Sequence, residues 1–213
     1  MEEQVFNMPR INEPAPNFTA KTTHGEIKLS DYEGQWVVLF SHPADFTPVC
    51  TTEFIAFAKK FGEFKKRNTQ VIGLSIDSVY SHLAWVRNIE DNFGVKIPFP
   101  VIADLDMKVA KLYGMVHPGA SDTSAVRAVF VIDDKGVLRA MIYYPLTNGR
   151  SIDEVLRIVI ALQTSDQYQV ATPENWQPGD KVIVPPPATQ EEAEKRKEQG
   201  YDYVDWYFSK KSL

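Results

Sequence analysis

From residue 36 onward, runs rich in β-branched and aromatic residues alternate with helix-like segments. WVVLFS (36–41), QVIGLSI (70–76), FPVI (99–102), AVFVI (128–132) and VLRAMIYY (137–144) read as strands. Between them, residues 50–66 place Phe54, Phe57, Ala58, Phe61 and Phe64 on one helical face. Residues 78–92, 106–113 and 151–163 read as further helices, the last opened by Ser151 with Glu154 three residues on, the pattern of a capping box. Strand, helix, strand, helix, strand implies parallel neighbours joined by right-handed crossovers, with helices covering the sheet. The turn-rich IDDKGVL between the last two strand runs implies a hairpin, so the later part of the sheet is expected to be antiparallel. The expected fold class is α/β, with a mixed central sheet flanked by helices.

With 213 residues, 44% hydrophobic and 24% charged, the chain has the profile of one ordinary globular domain plus an appendage. No run approaches the ~20 apolar residues that span a bilayer, and the acidic start MEEQVFNMPRINEPAPNF has no apolar core of a signal peptide, so a cytoplasmic location is expected. A net charge of −5 argues against general affinity for nucleic acid or anionic membrane; the basic run KKFGEFKKR reads as the solvated face of a helix. After about residue 165 the texture changes, through three consecutive prolines and a charged helix-like run to YDYVDWYF, with five aromatics in eight positions. Rings in that number favour burial. The expected division is a domain over 1–165 and an extension over 166–213 that docks on a neighbouring subunit.

The single cysteine, Cys50, lies in SHPADFTPVCTTEF, a loop between a strand's carboxyl end and an amphipathic helix. Ligands of open α/β sheets gather at such loops. If Thr47 is the N-cap and Pro48 the first helical residue, Cys50 is the third, where free backbone N–H groups and the helix dipole favour an anion. The thiolate is the nucleophilic form of cysteine. A lone cysteine can also be a small buried hydrophobe; the placement here favours a reactive thiol. One cysteine can form neither an intrachain disulfide nor a thiolate metal cage. A dithiol oxidoreductase would need a cysteine where Glu53 stands, and a cysteine protease a histidine within reach, for which only His42 is near in sequence. His24, His82 and His117 show no metal-ligand spacing, and each reads as a satisfied or surface histidine. No nucleophile-elbow motif or phosphate-binding glycine loop occurs.

The run Pro43, Ala44, Asp45, Phe46, Thr47, Pro48, Val49, Cys50 resembles the P-x-x-x-T-x-x-C motif of the peroxiredoxins, thiol peroxidases with a thioredoxin-like fold. SHPADFTPVCTTE is similar to their one-cysteine subfamily, of the archaeal and thermophilic type with a long C-terminal extension; AVRAVFVID, YYPLTNGR, IVPPP and DWYF extend the likeness over nearly the whole chain. The resemblance implies that Cys50 attacks peroxide and becomes a sulfenic acid, that Thr47 hydrogen-bonds the peroxide, that Pro43 shields the thiolate, and that Arg127 favours the thiolate and binds substrate. His42 and Arg150 are implied near the pocket as further substrate-binding residues, and Glu53 as the carboxylate that orients the arginines. It implies no metal or organic cofactor, an external thiol reductant (thioredoxin-like or small), and a homodimer that assembles further, as in the family's ring of five dimers. One departure stands out. Relatives of this type often carry a cysteine after D-W-aromatic-F, where this chain has Ser209. Either a one-cysteine enzyme is regenerated by an outside thiol, or a serine stands in place of a resolving cysteine. A serine-based phospholipase motif found in some animal relatives is absent. From another class of function, the alternative is a redox sensor or holdase in which Cys50 oxidation alters assembly.

Overall fold

The computed structural model describes residues 8–121 and 123–213. The chain divides into two compact units, Met1–Ile152 and Asp153–Leu213. Each is described separately.

In the first unit the elements run β1 (Thr19–Thr22), β2 (Gly25–Lys28), β3 (Trp36–Ser41), α1 (Pro48–Lys66), β4 (Thr69–Ser75), α2 (Val79–Phe93), β5 (Val101–Ala103), α3 (Lys108–Leu112), β6 (Arg127–Ile132) and β7 (Leu138–Tyr144). They build a seven-stranded sheet of order β2-β1-β5-β4-β3-β6-β7. The central strands β3, β4 and β5 are parallel, and β1, β6 and β7 are antiparallel to their neighbours. The mixed sheet expected from the sequence is therefore present. The hairpin at its edge turns at Gly136, whose φ of +75° suits glycine, and Asp133 accepts from the turn's Lys135 and Val137 N–H groups.

Every residue of β3 is buried, as a strand covered on both faces requires. Val37 and Leu39 join Ile72, Leu74, Phe130 and Tyr113 in one core cluster. Phe40, one position out of that phase, stacks on Phe57 of α1 with centroids 4.1 Å apart and meets Phe54 and Phe99 edge-on. The helical stripe read from residues 50–66 thus covers the sheet through Phe54, Phe57 and Phe64, all fully buried. The packing leaves little room at Gly73 of β4. A Cβ there would lie 3.2 Å from the Phe54 ring and 3.3 Å from Phe40.

The second unit holds most of α4 (Ile152–Tyr168), then β8 (Val182–Ile183), α5 (Gln190–Lys195), β9 (Asp202–Asp205) and β10 (Phe208–Lys211). Ala161, Val170, Trp176 and Val182 form a small core of their own. The tail, read from sequence as an extension that docks on a neighbouring subunit, folds in part on itself. YDYVDWYF makes a hairpin around Trp206 and Tyr207, and β10 pairs with both β9 and β8. Val204, Trp206 and Tyr207 remain 69%, 47% and 56% exposed. Ser209 is buried within β10 and donates its hydroxyl to the Asp205 carbonyl at 3.3 Å. Among the described residues, no helix is long and apolar enough to cross a membrane.

Candidate active site

The parallel order of β3 and β4 directs their carboxyl ends the same way, and the chain leaves β3 at Ser41 into the loop that carries the cysteine motif. Ser41 ties this end down, donating to the Val126 carbonyl at 2.5 Å and accepting from the Ala128 N–H at 3.0 Å. His42 continues the ladder through its N–H to the Leu74 carbonyl.

Thr47 is the N-cap of α1, with extended φ and ψ of −112° and 144°, and Pro48 is the first helical residue. Proline costs nothing there because its missing N–H would be unpaired anyway. The Thr47 hydroxyl makes no capping bond; it donates back to the Ala44 carbonyl at 2.9 Å and so closes the loop on itself. Cys50 falls in the first turn, as the sequence implied, and is fully buried. Pro43 and Thr47, half-buried, lie in the same loop.

Arg127 comes to the thiol from the first position of β6. Its Nη1 donates to Cys50 Sγ at 3.3 Å and to Glu53 Oε2 at 2.8 Å, while Nε donates to the Leu146 carbonyl at 3.0 Å. Arg150 grips the other side of Glu53, through its backbone N–H and Nε to Oε1 at 2.8 and 2.9 Å and through Nη2 to Oε2 at 2.7 Å. Its Nη1 donates to the Ala128 carbonyl, and its guanidinium lies over the Phe40 ring at 5.4 Å. All three charged side chains are within 7% of full burial. Burial alone would raise the Glu53 carboxyl, but the hydrogen bonds and charge of Arg150, with the charge of Arg127, outweigh it and hold Glu53 below the usual carboxylate range. Two guanidiniums against one carboxylate leave one positive charge at the sulfur. A thiolate would balance it.

The sequence reading placed Cys50, Thr47, Pro43, Arg127, Arg150 and Glu53 at one site, and the structure brings Cys50, Glu53, Arg127 and Arg150 into one connected network. His42 belongs to a neighbouring cluster that the sequence reading did not assemble. Its Nε2 lies 2.9 Å from Asp45 Oδ1, and Asp45 Oδ2 lies 2.8 Å from His82 Nδ1, from α2. The ligating atoms of these three residues lie within 4.8 Å of one another, close enough in principle for a metal, but they already hydrogen-bond one another. His82 was legible only as a satisfied or surface histidine, and it is fully buried. A sign of more was its place on the buried face of α2 in step with Trp85 and Ile89.

A mixed sheet that sets one enclosed thiol in the first turn of a helix, beside a fixed guanidinium, defines a protein of thiol chemistry on a thioredoxin-like fold. Comparison with known proteins narrows the class. The AhpC/TSA family model matches residues 11–141, and the C-terminal domain of 1-Cys peroxiredoxin matches residues 161–200. A peroxiredoxin of Aquifex aeolicus (strain VF5) is 62% identical over 99% of this chain and 100% of its own length. Among solved structures, the yeast mitochondrial 1-Cys peroxiredoxin superposes with a TM-score of 0.87 at 47% identity, covering 97% of this chain and 100% of its own. A cysteine-to-serine mutant of peroxiredoxin 6 of Arenicola marina follows with a TM-score of 0.85 at 39% identity, over 96% and 98%. The chain belongs to the peroxiredoxin family, whose members reduce peroxides at the expense of thiols.

Proposed function

We propose that Cys50 is the peroxidatic cysteine, and the observation that carries this is its sulfur 3.3 Å from Arg127 in a network with one uncompensated positive charge. The thiolate attacks one oxygen of hydrogen peroxide or a small organic hydroperoxide. The sulfur loses two electrons and becomes a sulfenic acid, while the O–O bond breaks and the leaving oxygen departs as hydroxide or alkoxide, taking up the proton the thiol gave. Arg127 and the Thr47 hydroxyl, which turns from the Ala44 carbonyl it donates to in the resting site, bind the peroxide and stabilise that oxygen as charge develops on it. Pro43 limits water at the thiolate, His42 and Arg150 complete the pocket, and Glu53 orients the two arginines. Two equivalents of an external thiol, thioredoxin-like or small, return the sulfenic acid to the thiol and leave as a disulfide with one water. The yeast relative was studied for thiol resolution via glutathione and thioredoxin systems, which supports that assignment.

The protein works in the cytoplasm as a thioredoxin-like domain over about residues 1–165 with an extension over 166–213. The extension clasps a partner subunit, and the dimers close into a ring of five. Size-exclusion chromatography with light scattering tests the assembly; a stable monomer refutes it. The chemistry is tested by mixing reduced protein, and its Cys50→Ser variant, with one equivalent of hydrogen peroxide and following peroxide loss on the millisecond scale. The expected result is loss far faster than with free cysteine, absent from the variant. Loss at the free-thiol rate overturns the peroxidase reading in favour of a sensor.

A further inference from the structure

Beside the thiol network, His42, Asp45 and His82 are enclosed almost completely. Their protons can be assigned from what each atom faces. The Ile102 carbonyl only accepts, so His82 donates to it through Nε2 at 3.0 Å. Asp45 resists protonation: burial would raise its carboxyl, but hydrogen bonds from His42 and His82 hold it far below the usual range. An ionised carboxylate also only accepts, so His82 donates to Oδ2 through Nδ1. Oδ1 accepts from His42 Nε2. Burial, partly offset by Asp45, lowers the His42 pKa and keeps that ring neutral, so its one proton is on Nε2. His42 Nδ1 is left bare, buried and without a hydrogen-bond partner among the described residues. The rings of Phe54 and Trp85, 4.8 and 5.1 Å from His42, wall it in.

A second observation lies in the backbone of the same loop. Phe46 has a φ of +53°, in the left-handed region that bulky residues avoid, and its side chain is 57% exposed. Such strain persists only where the surroundings over-determine it. Asp45, the residue before, supplies that constraint. Its N–H donates to Asp77 Oδ2 at 3.1 Å, Asp77 accepts from Ser75 Oγ at 2.6 Å, and both oxygens of Asp45's own carboxylate are taken. Thr47, the N-cap, comes directly after Phe46.

We propose that His82 is a positioning residue for the reaction at Cys50: through Asp45 it fixes the single proton of His42 on Nε2 and clamps the strained Pro43–Thr47 turn from which α1 starts. The inference rests on Cys50 being the reacting thiol. His82→Phe keeps a ring among the aromatic neighbours and removes both donors, whereas His82→Asn keeps a donor towards Asp45. In full-length reduced protein, nitrogen-15 NMR is expected to show wild-type His42 protonated on Nε2 alone. His82→Phe is expected to melt cooperatively, to lose that single tautomer, and to react with peroxide about ten- to a hundredfold more slowly, the scale of a slight misplacement of reacting groups. His82→Asn is expected to recover most of both properties. A wild-type His42 protonated on Nδ1, a folded His82→Phe reacting at the wild-type rate, or slow variants with an unchanged His42 tautomer would each overturn the inference. Should His82→Phe not fold, Asp45→Asn takes its place, with the same expected and overturning results. Peroxide loss that survives in Cys50→Ser would refute the assignment of the thiol instead.

Discussion

Arg127 divides its donors among the Leu146 carbonyl, Glu53 and the Cys50 sulfur, and only the last of these reaches the thiol proposed to react. Arg127→Gln should therefore slow single-turnover peroxide consumption by about 10²–10³-fold, the cost of removing one aimed donor, while Glu53 keeps Arg150 and the fold holds. Lysine should rescue poorly, because a point charge cannot reach two acceptors as the planar fork does. Glu53→Gln is a different kind of loss. It leaves two buried guanidiniums without their anion, and urea unfolding should register about 3–5 kcal/mol of destabilisation. The same pairing sets an acid dependence. Glu53 and Asp45 have depressed pKa values in the folded protein, so on acidification the unfolded chain takes up their protons first. Their stabilisation is complete above the ordinary carboxylate value of about 4 and declines as the pH falls from there towards the folded values. Asp104 works the other way, since burial raises it and its ionised form costs the folded state. Urea midpoints between neutral and acidic pH should fall in the wild type and fall less steeply in Glu53→Gln.

At the scale of elements, α1 depends on a sheet that can receive its aromatics. Gly73→Ala would press a methyl group between Phe40 and Phe54, and the denaturant midpoint should report about 1–3 kcal/mol of lost stability. The contribution of α1 was legible in the sequence because Phe54, Phe57 and Phe64 repeat at the helical period, and the start of the helix was legible because Thr47 and Pro48 are end signals. The hairpin of β1 and β2 was not read: its strands are four residues each and mostly exposed, so there is no apolar alternation to see. The two-residue β8 is too short to leave any pattern. The site divides in the same way. Cys50 follows from local signals, whereas Arg127 and Arg150 were assigned only through family likeness. Nothing local ties them to residues 74 and 97 positions away in the chain. His82 and Asp45, separated by 37 positions, meet only because α2 packs its buried stripe towards the loop.

On the scale of the whole molecule, the second unit exposes Val204 of β9 and, at the turn of its hairpin, Trp206 and Tyr207, an apolar tip of the kind that associates. If that tip holds subunits together, replacing Trp206 and Tyr207 by aspartate should lower the mass seen by light scattering, with little change in far-ultraviolet circular dichroism. The thiol's surroundings come from widely separated parts of the chain, since Arg127 meets Cys50 across 77 positions and Arg150 meets Glu53 across 97. During synthesis the cysteine is joined to the chain 77 residues before Arg127 and 100 before Arg150. At about 5–20 residues per second the delay is about 4 to 20 seconds. For that interval the nascent chain carries the thiol with no cation beside it, so, on the role proposed for Cys50, fast reaction with peroxide should begin only when the last strands of the sheet close. A ribosome-bound chain stalled before Arg127 should meet peroxide no faster than any free cysteine does, and one long enough to close the sheet around both arginines should meet it faster.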